Sequence, residues 1–419
     1  VESGFVSLII SIWEQENRYM RHKERRYGYD AKRALAVCGV LAASAAVLFQ
    51  GELTAFASPT FSRTAEEWAV LQDDKLTWDE IPDLIHEYNA TVRDNEQAYA
   101  DDERNLMDAQ DIREAMIDQA DDYDNMAMDI AGSSEASAAQ YRAQANSMRD
   151  QADDNVTDKD ILRWNYDRIE DSLVQNARLT FLDYYSSIEE QKKARTALDT
   201  AKLAYDSAVN RFNVGMATET EVLTARESML QAEASIITAD AAVDSTKKQL
   251  LVTCGWGYDS VVEIGALPEI DITEIDATDP AADTETAIKQ NYTLRTDERM
   301  LQNTNTSNNY VQLREKYEKK ISDDTDQVRA SVRSAYDALV SARNVYNDAV
   351  SARQLAADAA ASAERNLAIG SISQSEYQTA AKQLESAGYD EEIARIGVMT
   401  AKVNYDACVD GLASAGSTT

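Results

Sequence analysis

The chain has 419 residues, 74 Asp and Glu against 41 Lys and Arg, a formal charge of -33, and only 14 Gly and 4 Pro. So few turn-formers exclude a sandwich, a propeller or a loop-rich α/β enzyme, and a charge of this sign excludes nucleic acid and opposes anionic lipid as partners. The apolar fraction of 44% is ordinary for a folded protein, so the composition predicts an acidic, helix-rich chain rather than a disordered one.

Residues 1–57 read as an N-terminal extension followed by a secretory signal peptide. Met20 is the expected start, and Arg21, Lys23, Arg25, Arg26, Lys32 and Arg33 form its basic region. Ala34 to Leu48 is an apolar run too short to span a bilayer comfortably. Ala55-Phe56-Ala57 then offers a small-x-small cleavage pattern, with cleavage expected after Ala57. Cys38 falls inside the apolar run, and Val37 stands where lipoprotein processing needs a small residue. Nothing after residue 57 is apolar enough to predict a transmembrane helix.

A first repeat is expected over residues 58–254. It opens with Leu76-Thr77-Trp78-Asp79-Glu80 and a short helix, then steps through Asn89-Ala90-Thr91-Val92-Arg93 into a longer polar one. The acidic cluster around Asp118–Asp129 predicts a solvated, self-repelling helical face. It lacks the Gly and Glu of a calcium loop. Next comes a sustained 3-4 apolar spacing, Leu198, Ala201, Tyr205, Ala208 and Phe212. It resumes beyond a short break as Val222, Ala225, Met229, Ala232, Ile236, Ala239 and Val243. Heptad spacing of this kind predicts coiled-coil helices, and so short a connection makes them antiparallel. Gly215 suits the helix stop, while Thr218 with Glu221 forms a capping box for the return helix.

Residues 255–283 read as a mixed, partly extended linker. A second repeat is expected over 284–412, with a flexible tail at 413–419. Its opening, Glu285 to Gln290 and then Asn291-Tyr292-Thr293-Leu294-Arg295, parallels the first. Its apolar stripe runs Leu339, Ala342, Tyr346, Ala349, Ala356, Ala360, Ala363 and Leu367. The return carries Tyr377, Ala380, Leu384, Ala387, Ala394, Val398, Ala401, Tyr405 and Cys408. Gly370 with Ser373 and Glu376 repeats the stop and the capping box 155 positions on, the period of an internal duplication. Arms of about 35–50 residues are expected, on the order of 50–75 Å each. The fold class is therefore all-α: two pseudo-repeated antiparallel coiled-coil hairpins with a short mixed linker.

Little in the chain invites catalysis or metal binding. The cysteines are Cys38, Cys254 and Cys408, with no CxxC pair, and His86 is the only His past the first thirty residues. No Cys/His zinc set can be assembled, no catalytic residue or cofactor is expected, and His86 reads as a surface residue. Cys254 and Cys408 end equivalent helices and read as buried, unpaired thiols.

The hairpin turn Arg211-Phe212-Asn213-Val214-Gly215-Met216-Ala217-Thr218-Glu219-Thr220-Glu221-Val222-Leu223 resembles that of the TolC-like outer-membrane efflux family. The two openings and, more loosely, Asn366 to Tyr377 fit the same family. The openings depart from it where Ala90 and Tyr292 replace a proline. The resemblance covers roughly residues 76–410. It implies a TolC-like α-barrel protomer, a homotrimer enclosing a twelve-helix tube, and a conduit role in a tripartite efflux or secretion system. The tips, Val214, Gly215, Met216, Ala217 and Thr218 with Ile369, Gly370, Ser371, Ile372 and Ser373, would contact a periplasmic HlyD-type adaptor coupled to an ABC or RND pump. Location would be the outer membrane and periplasm, or the cell surface in a single-membrane cell. Family members that perforate a membrane insert β-strands where this chain has Asp118 to Asp160 and Thr304 to Gln327. Neither segment alternates as such strands must, so no membrane strands are expected. That departure favours the alternative, a non-transporting coiled-coil scaffold or spacer at the cell surface.

Overall fold

In a computed structural model, which describes residues 63–105, 108–304 and 309–416, the heptad stripes become four long helices. α6 is Lys159–Asn213, α7 Glu219–Thr253, α10 Tyr310–Ala368 and α11 Gln374–Ala407. The stripe residues of α7 are half-buried while their neighbours are exposed, as expected of helices packed along one seam. The outgoing arms, 55 and 59 residues, exceed the expected length; the return arms are 35 and 34. No Gly or Pro interrupts the outgoing arms, so nothing stops them earlier. At 1.5 Å per residue the four span about 50 to 90 Å.

Before α6 come α1 (Ala65–Leu71), β1 (Lys75–Leu76), α2 (Ile81–Tyr88), α3 (Ala90–Asn105), α4 (Ala109–Ile130) and α5 (Glu135–Asp153). Between the hairpins lie β2 (Glu263–Ile264), a 3-10 turn (Ile272–Ala277), α8 (Pro280–Gln290) and α9 (Tyr292–Asn303). The expected signal peptide, with Met20, Cys38 and Ala57, lies outside the described residues.

These residues fall into two compact units. One takes in residues 104–159 and 302–314, the other 63–103, 160–301 and 315–416. In the first, α4 and α5 form an acidic helical hairpin on an alanine seam of Ala120 and Ala145 with Met148, Met116 and Tyr123. Arg149 pairs with Asp121 and Asp124, so part of the carboxylate cluster is neutralised locally. Asn155 Nδ2 donates to the Ala109 carbonyl at 3.0 Å, drawing the two ends of the hairpin together.

In the second unit the long helices follow one another side by side in the order α7, α6, α11, α10. Gln191 of α6 bonds Asp240 of α7 at 2.7 Å. Gln175, Lys193 and Asp199 of α6 meet Asn404, Asp390 and Lys382 of α11, a descending register that makes the two antiparallel. Arg353 of α10 pairs with Glu391 of α11. The same register carried forward brings Asn213 level with Ala368, so both hairpin turns lie at one end of the layer.

The two large apolar cores lie toward the other end, the hairpin roots. Leu76, Ile81, Leu84, Ile85, Phe181, Leu250 and Leu251 form one core; Ile275, Leu294, Val328, Val332, Leu339, Val398 and Tyr405 form the other. Full burial of such side chains contributes about 1.5–3 kcal/mol each, against little for the alanines toward the tips. Leu76 differs from the sequence expectation. It sits in β1, paired in parallel with β2 through Lys75–Glu263 and Leu76–Ile264, because the Val262–Ile264 segment of the linker supplies an edge for it. The tail expected at 413–419 is not loose over its described part: Ala413 and Ala415 are buried in the second core.

Candidate functional site: the hairpin tips

Each tip is built by the same local rules. Gly215 has φ 73° and Gly370 φ 72°, left-handed values that a side chain disfavours. In the first tip Met216 N–H donates to the Arg211 carbonyl at 2.8 Å and Gly215 N–H to Phe212 at 2.9 Å. In the second, Ser371 donates to Asn366 and Gly370 to Leu367, both at 2.9 Å. This is the Schellman closure, which satisfies the carbonyls that a helix end leaves open. Three residues on, Thr218 Oγ1 accepts from Glu221 N–H while Thr218 N–H donates to the Glu221 carboxylate at 2.9 Å. Ser373 and Glu376 repeat the exchange, and the backbone bond from Ser373 holds the Glu376 carboxyl below its usual range.

What the tips present is apolar. Val214 is 68% exposed, Met216 70% and Ile369 78%, and a β-carbon at either tip glycine would meet open space. Ala217 and Ile372 are half-buried.

Three features lie beyond the sequence reading. The outer face of α7 carries Leu223, Leu230 and Ile237, all at least half exposed. They recur every seven residues on the opposite side from the seam read in the sequence, a second stripe that the first one masked. α10 exposes Val345 and Leu355 at the other margin of the layer. At the roots, Asn89 grips the end of α7 and Asn291 the chain just beyond α11, with Gly255 following the first grip and Gly411 within the second. The repeated Asn of the two openings was the available signal. Finally, His86 is exposed as expected, and its Nδ1 lies 2.8 Å from Glu170 Oε1, a bond that raises its pKa.

The two cysteines of the described chain are free. Cys254 is buried as expected, and burial pushes its thiol up to about 12. Cys408 is only half-buried, because it lies on the turn leaving α11, with Sγ 3.9 Å from Ser331 Oγ. Among the described residues no group of three or more His, Cys, Asp or Glu converges as a metal site, and no helix is long and apolar enough to cross a membrane.

Neither a protein-family model nor a curated protein matches the sequence. Solved structures do match in shape. A membrane protein from Pseudomonas aeruginosa superposes with a TM-score of 0.51 at 12% identity, over 81% of this chain and 92% of that one. The Campylobacter jejuni CmeC outer-membrane channel gives 0.46 at 13% identity, over 89% and 95%. The outer-membrane channel OprN gives 0.47 at 11%, over 88% and 99%. At such identities the likeness is one of fold alone, and it is carried by the superposition on the Pseudomonas aeruginosa membrane protein.

Proposed function

We propose that the chain is an exported, oligomeric conduit of the cell envelope, working as the passive channel of an efflux or secretion system. The observation that carries this reading is the pair of unfinished margins on the four-helix layer. One margin, on α7, offers Leu223, Leu230 and Ile237; the other, on α10, offers Val345 and Leu355. A layer with two different sticky margins cannot satisfy itself. It joins head to tail with copies of itself and, when the rotation closes, makes a ring. Three copies would give the twelve-helix tube that the resemblance implies.

Both tips lie at one end of the layer, so closure would gather six apolar tips into one annulus. The residues Val214 to Thr218 and Ile369 to Ser373 would there meet an adaptor of the HlyD type, which links the tube to an ABC or RND pump. No covalent chemistry is asked of the conduit; its work is to open and close.

A second reading has its own observation. Where perforating relatives are expected to carry strands, this chain folds α4 and α5 as an acidic hairpin. That favours a cell-surface coiled-coil scaffold or spacer without transport. The mass of the exported chain in solution, with negative-stain images of the same sample, separates the two. The conduit reading expects a trimer with a lumen, reduced to monomer by Leu230→Glu with Ile237→Glu. A monomeric or dimeric rod would sink it.

A further inference from the structure

Beyond the last helix the chain turns back and lies along α10. The turn, Cys408–Leu412, is π-helical. Asn291 Nδ2 donates to the carbonyls of Gly411 and Ala413. Ser414 N–H donates to Ser331 Oγ at 3.2 Å, and Gly416 N–H to Gln327 Oε1 at 2.7 Å. Gln327 and Ser331 continue the face of α10 that begins with Lys320 and Asp324, by the 4-3-4 spacing of one helix side. A β-carbon on Gly416 would stand 2.6 Å from Asp324 Oδ1. Residues 411–416 are therefore a strap whose end covers Asp324.

Under the strap, two carboxylates share one ammonium. Asp297 of α9 and Asp324 of α10 are each 3% exposed. Lys320 Nζ bonds Asp297 and, at 2.9 Å, Asp324. With both carboxylates ionised the site holds one uncompensated negative charge away from water, which is costly in a medium of low dielectric. A proton on Asp297 removes it.

We propose that this triad is a proton-operated latch: protonation of Asp297 seats the C-terminal strap, and loss of that proton loosens it.

The direction follows from the environment. Burial first, and the neighbouring Asp324 second, raise the Asp297 carboxyl to about 6 against the opposing pull of Lys320. The folded chain thus binds this proton more tightly than an unfolded chain does. The stabilisation is fully present below the ordinary Asp range and is lost as pH rises through about 6. The charged groups that act on Asp297 are Lys320 and Asp324, both from α10. The strap's own Ser414 and Gly416 do not titrate; Asp410, just before it, is raised by burial first and by Asp406 and Asp171 next, and Asp297→Asn separates its contribution from that of Asp297. The first half supplies an internal control. Counting from the gripping asparagines, the position of Asp297 corresponds to Asn95, which cannot ionise.

The test is hydrogen–deuterium exchange on the whole chain at pH 5.0 and pH 7.5, normalised for intrinsic exchange. It is read on peptides covering 411–416 and, as the control, 254–257. Strap protection is expected to be about tenfold or more higher at pH 5.0, while 254–257 stays flat. Asp297→Asn keeps the shape without the charge and should protect the strap equally at both pH values. A strap that is flat with pH in the wild type overturns the proposal. So does an Asn variant that keeps the wild-type dependence or is unprotected throughout. A parallel change at 254–257 also overturns it, since that would trace to the overall charge. None of this depends on the conduit reading.

Discussion

Asn291 Nδ2 stands 2.8 Å from the Ala413 carbonyl and 3.2 Å from that of Gly411, while its Oδ1 accepts from Leu294 N–H at 3.1 Å. The same side chain caps α9 and anchors the chain beyond α11. Asn89 does this in the first half, donating to Thr253 and accepting from Thr91 and Val92. Asn291 is fully buried and Asn89 9% exposed. Asn291→Ala would strand buried carbonyls and an N–H, at about 2–3 kcal/mol. Asn89→Ala should cost less. Urea unfolding of both variants ranks them, and equal losses would contradict the difference in burial.

The glycines divide into two classes by what surrounds them. At Gly215 and Gly370 an added β-carbon meets nothing, so alanine there carries only the left-handed backbone strain, about 1 kcal/mol. At Gly255 the β-carbon would stand 2.8 Å from the Tyr88 carbonyl oxygen, and at Gly411 2.7 Å from that of Gln290. Alanine at either root glycine must shift backbone and should cost about 3 kcal/mol or more. Thermal midpoints of the four variants, with the root pair clearly below the tip pair, are the expected outcome.

His86 should titrate above its ordinary range, because Glu170 favours the charged ring. A His pKa raised on folding means stability that is present below the unfolded value and lost as pH rises through the folded one. His86 is 43% exposed, so solvent screening keeps the effect under about 1 kcal/mol. The ring resonances report it directly, and Glu170→Gln should bring the midpoint down. A midpoint that does not move removes Glu170 as the cause.

Thiol reactivity should separate the cysteines. Burial raises both thiols, and Cys254, driven to about 12, is the more enclosed. Under native conditions at pH 8 an alkylating reagent should modify Cys408 faster than Cys254, and both far more slowly than in the unfolded chain. Mass spectrometry over time gives the order.

The hairpins were legible because the seam repeats at a period that only helices have, and because Gly215 and Gly370 each precede a capping box. The roots were less so. Leu76 reads as the start of a helix until Val262–Ile264, far along the chain, arrives to pair with it. Asp297, Lys320 and Asp324 look like any exposed charges on polar helices; that both carboxylates are buried, Asp324 beneath the end of the strap, shows only in the structure. The outer stripe of Leu223, Leu230 and Ile237 was visible in principle, yet it shares α7 with a longer alanine-rich stripe that drew the assignment.

The two halves keep unequal spacing: Asn291 follows Asn89 by 202 positions, but Gly370 follows Gly215 by only 155. The excess of 47 is close to the length of α4 and α5 together with their turn. That hairpin has its own seam, and Asn155 ties its exit to Ala109 at its entrance. In modular terms it is a cassette spliced into one copy of a duplicated blueprint. The junction near residues 108 and 155 thus marks where the first copy of the blueprint departs from the second.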